Sequence, residues 1–174
     1  AAYVARRLGQ GPTARSELLP LVGGLLGTGA EPVRTALATV LATPGESAAG
    51  PLRRELLDLL FAHEREPAVL LAAARAAVGH LRDGDCDGDD GAEGEGDGEA
   101  EARGLLHRTG LLCGRTPEGA ARFDDCLVDL AEEVPGLAVR LARWLTEAPD
   151  DWAGLPGPGA RRAIESVAGT RVPV

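Results

Sequence analysis

Apolar residues recur along most of this chain at the three- and four-residue spacing of a helix face. From Ser16, Leu18, Leu19, Val22, Leu25 and Leu26 make one stripe. Residues 31–42 repeat the rhythm through Val33, Ala36, Leu37, Val40 and Leu41. A third stripe, Leu52, Leu56, Leu57, Leu59 and Leu60, follows Pro51, and a fourth runs through Val69, Leu70, Ala73, Ala77 and Val78. Further on, Leu105, Leu106, Leu111 and Leu112 are the apolar residues of a helix expected to bend at Gly110, and Phe123, Cys126, Leu127, Leu130 and Ala131 make another buried face. Val139, Ala142 and Leu145 mark a helix after Gly136, and residues 160–169 predict a short last one. Residues 1–9, with Tyr3, Val4 and Leu8 near one face, read as the end of a helix whose start is missing.

The polar punctuation agrees with these limits. Glu31-Pro32 and Glu66-Pro67 each place an acid against the positive end of a helix and a proline in its first turn. Thr116-Pro117-Glu118 adds a capping hydroxyl. Gly27-Thr28-Gly29 and Thr43-Pro44-Gly45 stop helices, and Pro20 is expected to fall near a first turn, where its missing N–H matters little. Trp144, Trp152 and Leu155 are candidates to cover the last apolar face.

Two stretches match each other. Glu17-Leu18-Leu19-Pro20-Leu21 aligns with Glu55-Leu56-Leu57-Asp58-Leu59, and Glu31-Pro32-Val33 with Glu66-Pro67-Ala68. A helix pair recurring at this distance indicates stacked repeats. The second helix of each unit resembles the second helix of HEAT repeats, which reads Pro, Val-Arg, then small apolar residues. Pro32, Val33, Arg34 and Ala36 carry the resemblance in the first unit. Pro67, Ala73, Ala74, Ala77, Val78 and Gly79 carry it in the second, which has no arginine after Pro67. Val139-Arg140 repeats the pattern in a looser third pair over 117–147. The resemblance implies an all-α, right-handed stack of antiparallel helix pairs, a HEAT-like α-solenoid of about eight or nine helices. The expected organisation is helical repeats over 1–82, with pairs at 16–43 and 51–82, an acidic flexible loop over 83–100, and further helices with a C-terminal cap over 101–174.

Composition supports this picture and narrows it. Hydrophobic residues make up 44% and aromatics only 3%, mostly as Ala, Leu and Val, a balance that favours helix over sheet. The chain has no Lys, Met or Asn and one Ile, and all 18 basic residues are Arg. That bias points to a GC-rich genome, with an actinobacterium expected. The chain opens on Ala1 and is expected to be a segment of a longer protein. No signal peptide or membrane-length apolar run is evident, so a soluble cytoplasmic address is expected.

The net charge of −9 is local. Residues 83–103 hold ten acids and one Arg, while the remainder balances 17 acids against 17 Arg. Asp83, Asp85, Asp87 and Gly88 copy the opening of a calcium-binding EF-hand loop, and Asp89 adds a further carboxylate. Position 12, which must supply a bidentate Glu, is Gly94. A solvated linker is therefore the expected reading, and calcium the lesser one.

Little else suggests chemistry. Cys113 and Cys126 lie in apolar helical surroundings, and Cys86 sits among aspartates that disfavour a thiolate. His63, His80 and His107 lack the spacing of a helical metal site, and there is no Gly-x-Ser-x-Gly elbow or Lys-ended phosphate loop. Asp124, Asp125, Asp129, Glu132 and Glu133 read as a solvated face. The arginine doublets lack aromatic interleaving, so nucleic acid is not an expected partner. The expectation is a non-catalytic scaffold without cofactor, metal or membrane, binding another protein or another domain of its parent. Arg34, Arg75, Arg140 and Trp152 are the candidate contact residues. Two alternatives remain: an accessory domain of a multidomain enzyme, and a small helical regulator acting through the acidic loop.

Overall fold

The computed structural model describes residues 1–10, 14–43, 50–79, 81, 97–134, 136–147 and 154–171. These residues form nine α-helices and no strand. The fold is all-α, with stacked helix-pair contacts of helical-repeat, solenoid-like character. The chain divides into two compact units, Ala1–Ala77 and Val78–Val174.

The first unit contains α1 (Ala2–Leu8), α2 (Arg15–Thr28), α3 (Glu31–Ala42), α4 (Gly50–His63) and α5, which begins at Pro67 and ends at Gly79 just past the division. Helix α2 packs on α4, and α3 bridges α1, α2 and α4. Against α3 also lies α5. First helices thus neighbour first helices (α2, α4), and second helices neighbour second helices (α1, α3, α5). The core between the layers is leucine-rich: Leu18, Leu37, Leu41, Leu56, Leu60 and Leu70 are fully buried. Each such side chain contributes about 1.5–3 kcal/mol by leaving water. Helix α1 packs on α3 like a second helix, with Val4 and Leu8 buried.

The repeat register is visible in the helix limits. Arg15 and Thr28 bound α2, and Gly50 and His63 bound α4, a shift of 35 residues at both ends. Matching Glu17-Leu18-Leu19 to Glu55-Leu56-Leu57 gives a spacing three residues longer. Three residues is nearly one helical turn, so either alignment keeps the same face inward.

Several local expectations change: Tyr3, Leu111 and Val139, expected on apolar faces, are exposed. In α3 the stripe is rotated: Leu37, Ala38, Leu41 and Ala42 are buried, but Val33 is 41% exposed, Ala36 is exposed and Val40 only half-buried. Periodicity located Leu37 and Leu41 on the buried face, but that face is completed by Ala38 and Ala42, which lay outside the expected stripe. In α2, Pro20 falls at the sixth helical residue, beyond the first turn. Its absent N–H removes a bond to the Ser16 carbonyl, and both residues are exposed, where water offsets the loss.

The second unit contains α6 (Asp97–Cys113), α7 (Pro117–Glu133), α8 (Leu137–Glu147) and α9 (Pro158–Arg171). Helix α7 is central, touching α6, α8 and α9, and α9 packs on α8 as well. Thr116 caps α7 as its sequence indicated, its hydroxyl accepting from the Gly119 N–H at 3.0 Å. Close approach of α6 and α7 depends on glycine. A Cβ on Gly119 would lie 2.3 Å from the Cys113 carbonyl oxygen, and one on Gly110 would lie 2.9 Å from the Phe123 ring. Gly136 takes φ +77° in the turn to α8, where a side chain would be strained. Phe123, Leu106, Leu127, Leu137, Leu141 and Trp144 fill the centre of this unit. Trp144 therefore belongs to the core of this unit, and α9 closes one side of the α7–α8 pair.

Candidate functional site

Arg34 follows Pro32-Val33 in the first turn of α3, and the helix turns it toward the connection between α4 and α5. There its Nη1 donates to Glu64 Oε1 at 3.1 Å. The Glu64 side chain is 1% exposed, and the same oxygen accepts the backbone N–H groups of Arg65 at 3.0 Å and Glu66 at 2.9 Å. One carboxylate therefore satisfies two donors of the α4–α5 connection and neutralises an arginine from the preceding pair. An acid just ahead of α5 also suits the positive end of that helix. Arg53 of α4 makes the companion contact, donating to the Thr43 carbonyl at the end of α3 at 3.2 Å. Arg65 closes α4, donating to the Phe61 carbonyl at 3.3 Å and the Ala62 carbonyl at 2.7 Å. Neither role of Glu64 was read from the sequence. Its position, two residues before Glu66 and three before Pro67, was the available signal.

With Arg34 committed inward, the outer face of α3 is apolar or neutral. Pro32, Val33, Ala36, Thr39 and Thr43 are exposed there and Val40 is half-exposed, with Glu31 the charge at its first turn. The outer face of α4 is different, exposing Arg54, Asp58 and His63. The exposed end of α2 beside α1 is polar too: Glu17 accepts from the Tyr3 hydroxyl and the Arg7 guanidinium.

Arg140 sits in a similar ionic environment in the second unit. Glu99 of α6 accepts from the Trp144 indole N–H at 3.1 Å and from Arg143, and Arg140 Nη1 stands 3.9 Å from its other oxygen. Glu147 extends the cluster, 3.9 Å from Arg103 and 3.8 Å from Arg143. Thus Arg34 and Arg140 each face a carboxylate of their own unit. Arg75, on α5, is half-buried and has interactions within the structure. Trp152, and the acidic residues Asp83, Asp85, Asp87 and Asp89, lie outside the described residues.

Several chemistry-bearing side chains of the second unit are occupied or buried. Asp124 accepts the Gly157 N–H on both oxygens, at 3.0 and 3.1 Å, just before α9 begins. Arg161 reaches back from α9 to the carbonyls of Pro156 at 2.9 Å and Leu155 at 3.1 Å. Beside this junction a 360 Å³ surface groove is lined by Ala121, Asp124, Asp125, Val128, Gly159, Ala160 and Ala163. Cys113 and Cys126 are free and buried. Burial, and secondarily the neighbouring Cys126, push the Cys113 thiol up to about 11, so it is protonated at neutral pH. The contacts of Gly119 with Cys113 and of Gly110 with Phe123 set the α6–α7 register.

Among the described residues, no group of three or more His, Cys, Asp or Glu side chains could hold a metal ion. No helix among them is long and apolar enough to cross a membrane. The described chain is thus an all-α protein of helical-repeat type. Comparison with protein-family models, with curated proteins and with solved structures finds no match.

Proposed function

We propose that this chain is a non-catalytic helical-repeat scaffold that binds another protein, or another domain of a larger parent. The observation that carries this reading is the outer face of α3. A surface helix normally turns charge to solvent. Here the arginine is bound by Glu64, and Val33, Ala36 and Val40 are left toward solvent. Exposed apolar positions on one helix, beside charged outer faces on its neighbours, suit a contact surface. The second helices of stacked repeats are where such surfaces form. Within this reading the repeats are of the HEAT type, the chain is cytoplasmic, and its source is an actinobacterium. The Pro32-Val33-Arg34 motif supports the repeat type and the Arg-only basic composition the source.

The reading is tested with the full chain carrying an affinity tag, probed for saturable partners, and compared with Val33→Asp, Ala36→Asp and Arg54→Asp. All three positions are exposed, so folding should be unchanged by circular dichroism. A partner retained by the parent chain and by Arg54→Asp, but lost from both α3 variants, is the expected result. Partner binding indifferent to the α3 substitutions, or no saturable partner at all, overturns the proposal.

A further inference from the structure

We draw no further inference here: the strongest candidate, the surface groove between α7 and α9 beside Asp124 and Asp125, rests on an acidic pair at a helix N-terminus with no second feature in the structure that points to a ligand.

Discussion

Replacing Glu64 by Ala should be among the costliest polar substitutions in the first unit. The change removes one oxygen that serves three donors: Arg34 Nη1 and the backbone N–H groups of Arg65 and Glu66. Leaving the Arg65 and Glu66 N–H groups without their acceptor costs about 0.5–1.5 kcal/mol each. Losing a hydrogen bond to a charged partner costs about 1.5–3 kcal/mol. Arg34 is 23% exposed, so its freed guanidinium can reach water, and the full penalty of an orphaned buried charge does not apply. The expected loss is therefore about 2–4 kcal/mol for Glu64→Ala. Glu64→Gln keeps an acceptor at Oε1 but surrenders the charge, and should cost about half as much. Urea unfolding followed by circular dichroism measures both, fitted with separate transitions for the two compact units. Combining Glu64→Ala with Arg34→Met should show a coupling of about 1–2 kcal/mol, because the two side chains are in direct contact. The reasoning is refuted if Glu64→Ala costs less than about 0.5 kcal/mol, the range of an ordinary surface change. It is equally refuted if Gln is as damaging as Ala.

Glycine substitutions should split by sign. Gly119→Ala and Gly110→Ala press a methyl against the Cys113 carbonyl and the Phe123 ring and should each cost about 1–3 kcal/mol. Gly24→Ala and Gly104→Ala, in helices with open space at the new Cβ, should each gain about 0.5–1 kcal/mol. Thermal melts of the four variants check the order, and a uniform sign across them would contradict the α6–α7 packing. Cys113 should resist thiol reagents in the native state and react on unfolding. Its raised folded value also means that its contribution is complete below the ordinary thiol value of 9.0 and is lost as pH rises through about 11. Cys113→Ala should flatten that alkaline decline; an unchanged decline assigns it elsewhere. Glu55 is held below its ordinary range, first by the hydrogen bond from Arg15, at 2.6 and 2.8 Å, and then by its charge. A depressed carboxyl contributes above its ordinary range and fades as pH falls through the folded value. Because the pair is exposed, Glu55→Gln should matter little at neutral pH, and its effect should vanish near 1 M salt, where the Debye length is about 3 Å.

The sequence carried the helical part of this protein in local signals. Leu18, Val22 and Leu26 of α2, and Phe123, Leu127 and Leu130 of α7, were placed inside by spacing alone and are buried. Thr116, Glu31-Pro32 and Glu66-Pro67 marked helix starts because capping and proline effects act within one turn. The recurrence of helix pairs was legible too, since it needs only a comparison of the chain with itself.

Side-chain commitments across helices were not legible. Arg34 sat in the motif where an exposed contact was expected, and its pairing depends on Glu64, 30 residues away. Arg140 met Glu99, from the other side of α7 in the chain, in the same way. Val33 and Ala36 shared the spacing of buried residues, yet α3 turns them outward and buries Ala38 and Ala42 beside Leu37 and Leu41. Periodicity by itself determined which face of each helix is apolar, through a 100° rotation per residue that every window repeats. Only the tertiary structure decided which part of that face is covered and which carboxylate each arginine finds, because both depend on where distant helices come to rest.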